Sequence, residues 1–106
     1  MRESAIEAHL VRRVRELGGI AYKWVSPGRT GVPDRIVVTP GAYAAFVELK
    51  APGKKPTPIQ LREQQRLIRF GMQVYVIDSV AGVDEFINRI IGDKNAKSTT
   101  PQIRRA

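Results

Sequence analysis

The hydrophobic positions of the 106-residue chain change their spacing several times, and each change predicts a new structural element. The first pattern is a stripe of apolar residues three or four positions apart: Ile6, Leu10, Val14 and Leu17. This spacing places all four side chains on one face of an α-helix. Because Gly18 and Gly19 follow at once, the pattern predicts a first helix over residues 3–17.

Three β-rich runs follow the predicted helix. They are IAYKWV (20–25), DRIVVT (34–39) and AAFVELK (44–50). The loop SPGRTGVP (26–33) separates the first two, and a turn at Pro40 and Gly41 separates the last two. β-Branched and aromatic runs between glycines and prolines favour strands, so three consecutive strands are predicted.

The remaining apolar pattern predicts a helix, a strand and a last helix. The second helix begins near Pro58 and ends at Gly71, and MQVYVID (72–78) is the fourth strand. The last helix is marked by a further apolar stripe: Val83, Phe86, Ile87, Ile90 and Ile91. The order αβββαβα predicts one α/β domain over residues 1–91, since a chain of this length supports a single modest core. Residues 92–106 have no apolar periodicity and are expected to form a basic flexible tail.

Composition excludes several kinds of site. The chain has no cysteine, so disulfides, thiolate metal sites and cysteine nucleophiles are ruled out. No apolar run approaches the length of a membrane span, and the N-terminus carries acids where a signal peptide is apolar. The loop SPGRTG lacks the lysine and hydroxyl residue of a phosphate-binding P-loop. We therefore expect a cytoplasmic protein that uses neither a membrane nor a nucleotide cofactor.

Charge indicates a polyanionic partner. The formal net charge is +8 and the sequence pI is about 10.5. Four basic residues and one acidic residue after Ile91 contribute +3, which leaves +5 on the body of the chain. Lysine and arginine strengthen binding to nucleic acids, because neutralising the phosphates releases counterions. This distribution therefore favours nucleic-acid binding over a merely soluble basic surface.

Two opposite charges in the third strand suggest chemistry. Side chains alternate along a strand, so Glu48 and Lys50 point to one face, roughly 7 Å apart at their Cα atoms. An exposed ion pair at a strand end is the ordinary alternative, and it would contribute little. Glu48, however, lies between Val47 and Leu49, and a carboxylate buried among such residues costs several kcal/mol unless a cation compensates it.

Asp34 supplies a second carboxylate. It lies where the Gly- and Pro-rich loop enters the second strand. Aspartate is common in turns, so its position alone has an ordinary structural explanation. Paired with Glu48 on a neighbouring strand, it would raise the pKa of its partner unless a divalent cation lay between them. Such a pair with Lys50 on the same face suits metal-assisted phosphodiester hydrolysis.

The segments GVPDRIV and FVELKAPGKKPTPIQ resemble the VRR-NUC domain, a branch of the PD-(D/E)xK nuclease superfamily. The resemblance rests on Pro33 and Asp34, on Glu48, Leu49 and Lys50, and on Gln60, and it extends over roughly residues 1–90. It implies a restriction-endonuclease-like αβββαβ core, with a mixed central sheet flanked by helices. That fold agrees with the element order predicted above from the apolar pattern.

The resemblance also implies a ligand set. Asp34, Glu48 and the backbone carbonyl of Leu49 would hold Mg²⁺ or Mn²⁺, while Lys50 would assist the chemistry. The family further uses a glutamate from the first helix, and both Glu3 and Glu7 are candidates. They share one helix face, and the ESAIE spacing favours Glu3; both are also explained as acids near a helix N-terminus.

Gln60 has two possible roles. With Thr57 as N-cap and Pro58 at the first helical position, it completes a capping box. The resemblance makes it an active-site residue as well. Further candidates for contact with DNA are polar or basic residues around the predicted site: Ser26, Arg29, Arg35, Lys54 and Lys55.

The expected function is a metal-dependent DNA endonuclease. Free-standing members of the family resemble four-way-junction resolvases that act as dimers, which implies branched DNA as substrate and a homodimer as the active form. The alternatives are a flap or single-strand nuclease of the same fold, and a basic DNA-binding module without catalysis.

Overall fold

The computed structural model describes residues 1–95. Its helices and strands are α1 (Glu3–Glu16), β1 (Ile20–Lys23), β2 (Arg35–Thr39), β3 (Tyr43–Leu49), α2 (Pro58–Arg69), β4 (Val74–Ile77) and α3 (Val80–Asn95). The predicted order αβββαβα is confirmed.

Several predicted boundaries differ from the structure by one or more residues; α2 ends at Arg69 instead of Gly71, and β4 begins at Val74 instead of Met72. Two further differences concern the loop before β2 and the predicted tail. β1 ends at Lys23, two residues early; the N–H of Trp24 still donates to the Asp34 carbonyl at 3.0 Å, and the chain then turns where the N–H of Arg29 donates to the Ser26 carbonyl at 3.2 Å. α3 continues to Asn95, because extending a helix that is already packed needs only one further hydrogen bond per residue. The predicted tail therefore begins inside α3, and its residues 96–106 lie outside the described part of the chain.

The four strands form one mixed sheet in the order β1-β2-β3-β4. β1 and β2 are antiparallel, as are β2 and β3, whereas β3 and β4 are parallel. The register pairs Arg35 with Val47. Asp34, one residue before Arg35, therefore lies beside Glu48 on the neighbouring strand.

The hydrophobic core lies on one face of this sheet, under α1 and α3. The strands contribute alternate residues to it, which is why Val47 and Leu49 are buried there while Glu48 points to the other face. The helices contribute the apolar stripes that the sequence predicted, including Leu10 and Ile87, both fully buried. His9 of α1 also contacts Asp84 of α3, with 2.8 Å between Nε2 and Oδ1.

The opposite face of the sheet is only partly covered. α2 packs over β4, where Leu67 and Val74 are buried. Over β1 and β2 the face is open, and Ile20, Tyr22 and Val38 are 53%, 52% and 39% exposed. This face thus has two ends. The acidic end, with Asp34 and Glu48, lies near α2, and the apolar end, with Ile20, Tyr22 and Val38, is uncovered. No helix in residues 1–95 is long and apolar enough to cross a membrane.

Candidate active site

Asp34 is fixed at the edge of the acidic end by two hydrogen bonds. Its Oδ2 accepts from the backbone N–H of Leu49 at 2.8 Å, and its backbone carbonyl accepts from the N–H of Trp24 at 3.0 Å. The side chain is therefore tied to β3, and its carboxylate is held in a defined place next to Glu48.

Glu48 is buried, with 2% of the residue exposed. Its Oε2 accepts from Nε2 of Gln60 at 2.8 Å and lies 3.8 Å from Nζ of Lys50. Its Oε1 is also buried, yet it has no hydrogen-bond partner among the described residues. An unpartnered buried carboxylate oxygen is costly, so this atom is the place where a cation would be most stabilising.

Electrostatics around Glu48 raise its pKa from 4.5 to about 7. Burial is the largest cause, and the negative charge of Asp34 is the second. The ammonium of Lys50 opposes the shift, whereas Glu3 adds to it. The site therefore carries more negative charge than its own lysine compensates, and a cation would relieve that excess.

The donor set fits a hard divalent cation. Among residues 1–95, no three His, Cys, Asp or Glu side chains are grouped as a metal centre. Two adjacent carboxylates, one with an unpartnered oxygen, remain. Mg²⁺ commonly binds one or two protein carboxylates and completes its coordination shell with waters and substrate phosphates. Two carboxylates are therefore enough ligands for Mg²⁺ at this site.

The structure separates the two glutamates of α1. Glu7 Oε2 lies 2.8 Å from Nε of Arg35 and forms a partly buried ion pair with it. The same guanidinium donates to the carbonyl of Ala21 at 2.9 Å. Glu3, by contrast, acts on the pKa of Glu48. Glu7 and Arg35 thus join α1 to the sheet. Glu3 is the glutamate whose charge affects Glu48. We call Asp34 and Glu48 the acidic pair.

Lys50 lies just beyond the end of β3. Its backbone N–H donates to the carbonyl of Ile77 at 2.9 Å, which continues the pairing with β4 by one residue. The side chain is 14% exposed and points to the Glu48 side of the sheet, as the alternation of the strand predicted.

Gln60 has a structural contact and an active-site contact at once. Its Oε1 accepts from the N–H of Thr57 at 2.8 Å, and its own N–H donates to Oγ1 of Thr57 at 3.2 Å. The predicted capping box is therefore confirmed. Its Nε2 is left free to donate to Glu48, so the start of α2 is locked to the acidic pair.

Within residues 1–95, the other predicted DNA contacts form no hydrogen bond or ion pair with Asp34, Glu48 or Lys50. Lys54 and Lys55 are exposed in the turn after β3, where the N–H of Lys54 donates to the Ala51 carbonyl at 3.0 Å. Ser26 belongs to the loop before β2, and Arg29 in the same loop reaches Glu63 of α2 at 3.4 Å.

Sequence reasoning missed the charged residues on α2. Arg62, Glu63 and Arg66 line an open cleft together with the loop that holds Arg29. The available signal was the segment REQQR, which starts two residues after Gln60 and repeats arginine after one helical turn.

Comparisons with known proteins support a nuclease. No family model matches the chain. It is 63% identical over 79 residues to "Putative nuclease p44" of Acyrthosiphon pisum secondary endosymbiont phage 1, a match that covers 74% of this chain and 85% of that protein. A solved structure titled "VRR_NUC domain" superposes with a TM-score of 0.77 at 34% identity, over 83% of this chain and 97% of the other. The predicted restriction-endonuclease-like fold is thereby confirmed.

Proposed function

The chain belongs to the VRR-NUC family of nucleases, and from this premise we propose that it is a divalent-cation-dependent endonuclease acting on DNA. The observation that carries the proposal is the buried Glu48, whose Oε1 lacks a partner among the described residues while Asp34 lies beside it. A protein that only bound DNA would have no need to bury an uncompensated carboxylate at the rim of its sheet.

The ion would be held by Asp34, Glu48 and the backbone carbonyl of Leu49, with the charge of Glu3 adding to its attraction. A bound Mg²⁺ or Mn²⁺ supplies Lewis-acid polarisation of the phosphate and a more acidic water. Because the hydrogen bond from Gln60 holds Oε2 of Glu48, that carboxylate does not need to reorient when it is used.

Lys50 is the proposed electrophilic group. In the hydrolysis, a water oxygen bonds to phosphorus, the bond from phosphorus to one ester oxygen breaks, and that oxygen leaves with a proton. Negative charge develops on the phosphate oxygens meanwhile. The Lys50 ammonium, 3.8 Å from Glu48 and largely shielded from solvent, is placed to stabilise that charge.

Metal dependence separates the enzyme from a non-catalytic binding module. Labelled DNA is incubated with Mg²⁺, with Mn²⁺ and with chelator, and binding is followed independently by fluorescence anisotropy. We expect cleavage only with a divalent ion and binding in all three conditions. DNA that is bound but never cut, whatever ion is present, would contradict the proposal and favour the binding module.

A readout without DNA tests the ligand set. Thermal unfolding of the wild type should shift to higher temperature when Mg²⁺ or Mn²⁺ is added, because binding to the folded state stabilises it. Glu48→Gln should lose this shift, whereas Glu85→Gln, an exposed acid of α3, should keep it. An equal shift in both variants would exclude Glu48 as a ligand.

We further propose that branched DNA, with four-way junctions foremost, is the substrate and that two copies act together. The support is the open apolar face of Ile20, Tyr22 and Val38, which lies on the same side of the sheet as Asp34 and Glu48. Contiguous exposed apolar surface is typical of interaction sites. A symmetric pair joined through this face would place two acidic pairs near one two-fold axis, as two matched nicks require.

Light scattering and junction cleavage test this assembly. The wild type should have the mass of two chains, and Val38→Lys should have the mass of one and cut junctions poorly. Ile91→Lys adds the same charge at an exposed position of α3 and should behave like the wild type. A monomeric wild type, or one that cuts flaps and spares junctions, would contradict the resolvase assignment and leave the nuclease assignment in place.

A further inference from the structure

A cleft rich in arginine lies beside the acidic pair, between the loop before β2 and the first half of α2. Its volume is about 360 Å³, and Arg29, Thr30, Ile59, Arg62, Glu63 and Arg66 line it. We call it the arginine cleft. Three guanidinium groups against one carboxylate give it an excess of two positive charges.

Glu63 lies between Arg29 and Arg66 and forms an ion pair with each of them. Its side chain is 8% exposed, and its Oε1 lies 3.4 Å from Nη1 of Arg29 and 3.6 Å from Nε of Arg66. Both distances are long for hydrogen bonds between nitrogen and oxygen, which centre near about 2.9 Å. The carboxylate therefore draws the two guanidinium groups together while occupying only one of their donors, Nη1 of Arg29, in a long hydrogen bond.

Unused donors remain in the cleft. The Nε of Arg66 is buried but has no hydrogen-bond partner among the described residues. Arg62 forms no ion pair or hydrogen bond within residues 1–95. A guanidinium carries five N–H donors in a planar fork that matches the oxygens of a phosphate. The cleft thus presents donors that no protein group occupies within residues 1–95, in an arrangement that suits a phosphate.

The wall of the cleft is built to stay close to α2. Gly31 has a φ of 85°, and a Cβ added there would lie 2.6 Å from Cγ2 of Ile59. A side chain at this position would push the loop, and Arg29 with it, off the helix. The close approach fixes the spacing between the arginine on the loop and those on α2.

The cleft lies next to the acidic pair along both of its walls. Asp34 follows Gly31 by three residues on the loop side, and Gln60, bonded to Glu48, precedes Glu63 by one helical turn on α2. Of the described residues in the lining, Ile59 alone has a large apolar side chain and none is aromatic. The lining therefore suits a phosphate and its sugar and offers no stacking surface for a base.

We propose that the arginine cleft binds a phosphate group of the substrate strand next to the one that is cut, through Arg29, Arg62 and Arg66, with Glu63 as a positioning residue. The proposal rests on the proposed function in that it takes DNA as the ligand. It adds a binding site that fixes which phosphate reaches the acidic pair.

Binding measured in chelator, where no cutting occurs, tests the cleft independently of catalysis. The variants are Arg62→Gln and Arg62→Gln/Arg66→Gln. The control is Arg15→Gln, which removes one exposed charge from α1 on the opposite side of the sheet. We expect the double variant to raise the Kd for DNA by about tenfold and to flatten the salt dependence of log K by about one unit or more. The single variant should show a smaller effect in the same direction, and the control should stay close to the wild type.

Two substrates distinguish the source of the phosphate. If it is terminal, wild-type affinity should fall when a 5′-phosphate is replaced by a 5′-hydroxyl, and the double variant should not respond to that change. If it is internal, one methylphosphonate next to the cut should weaken the wild type and leave the double variant unchanged. Either result supports the cleft.

Affinity and salt dependence in both cleft variants equal to those of the control would overturn the proposal, even if the protein cuts DNA with Mg²⁺. Conversely, a specific loss of affinity in the cleft variants would uphold it even if no condition produced cleavage, a result that would count against the proposed function alone.

Discussion

Glu48 occupies a position that a stable fold would normally fill with an apolar side chain. It is buried, one of its oxygens has no hydrogen-bond partner among the described residues, and Asp34 and Glu3 add negative charge to its surroundings. Places where local rules are broken in this way are commonly functional sites, since the cost is retained for what the residue does. The conflict at Glu48 is therefore evidence for chemistry at the acidic pair.

The raised pKa of Glu48 predicts how stability depends on pH. In chelator, the folded protein keeps its proton up to about pH 7, while the unfolded chain releases it near pH 4.5. The free energy of unfolding should therefore fall as pH rises between these values. Since one pKa unit corresponds to about 1.4 kcal/mol, the carboxylate should cost up to roughly 3 kcal/mol at pH 8.

Glu48→Gln removes this cost, because an amide of the same shape does not ionise. Urea unfolding should find the variant more stable than the wild type at pH 8 and close to it at pH 5. A variant that loses stability equally at both pH values would show that the burial of the charge is not the source of the cost.

Some of this site could be predicted from single residues. The alternation of β3 places Glu48 and Lys50 on one face, and the structure brings them to 3.8 Å. The sequence favoured Glu3 over Glu7 only through the resemblance, because the two share a helix face; in the structure, the ion pair of Glu7 with Arg35 and the effect of Glu3 on the pKa of Glu48 distinguish them. That ion pair depends on how α1 packs on β2, which spacing along the sequence does not encode.

At the scale of elements, α2 connects the site to the fold. Its beginning was predictable, because Thr57, Pro58 and Gln60 form a capping box whatever the tertiary structure. Its placement over Glu48 was not, since that depends on packing against β4. The arginine cleft was missed for the same reason: its two walls are far apart in sequence, and only the tertiary fold brings Arg29 to Glu63.

Two substitutions at the start of α2 separate capping from chemistry. Thr57→Ala removes the cap and should lower stability by about 1 kcal/mol with cleavage close to the wild-type rate. Gln60→Glu keeps an acceptor for the Thr57 N–H but replaces the donor to Glu48 with a negative charge. The pKa of Glu48 should rise further, so the pH dependence of cleavage should move to higher pH.

Thermal unfolding and a profile of rate against pH measure the two effects. An unchanged profile for Gln60→Glu would mean that the hydrogen bond to Glu48 has no part in the reaction. A large loss of cleavage by folded Thr57→Ala would mean that the cap and the site cannot be separated.

At the scale of the whole molecule, the sequence predicted the layers of the fold better than its surfaces. Apolar stripes in α1 and α3 specify one covered face of the sheet. The open end of the other face, with Ile20 and Val38, follows from its cover by α2 alone, since a helix about 10 Å wide covers only about two strands spaced about 4.8 Å apart. Assembly depends on this open surface, so the sequence pattern alone could not predict it.

Charge at this scale predicts the effect of truncation. Removing residues 96–106 deletes Lys97, Arg104 and Arg105 and lowers the net charge from +8 to +5. Affinity for DNA should fall and its salt dependence should become shallower, by about 0.9 in slope for each DNA phosphate that the shortened chain no longer neutralises. The cleavage rate at saturating DNA should not change; a reduced rate there would place part of the active site in the deleted segment.

The central claim is that Asp34 and Glu48 make this fold a metal-dependent nuclease, and the rate of cleavage by Glu48→Gln at saturating DNA in Mg²⁺ tests it most directly. We predict a rate at least about a thousandfold below that of the wild type, with DNA binding retained and with Glu85→Gln unaffected. Cleavage by Glu48→Gln at the wild-type rate would contradict the claim.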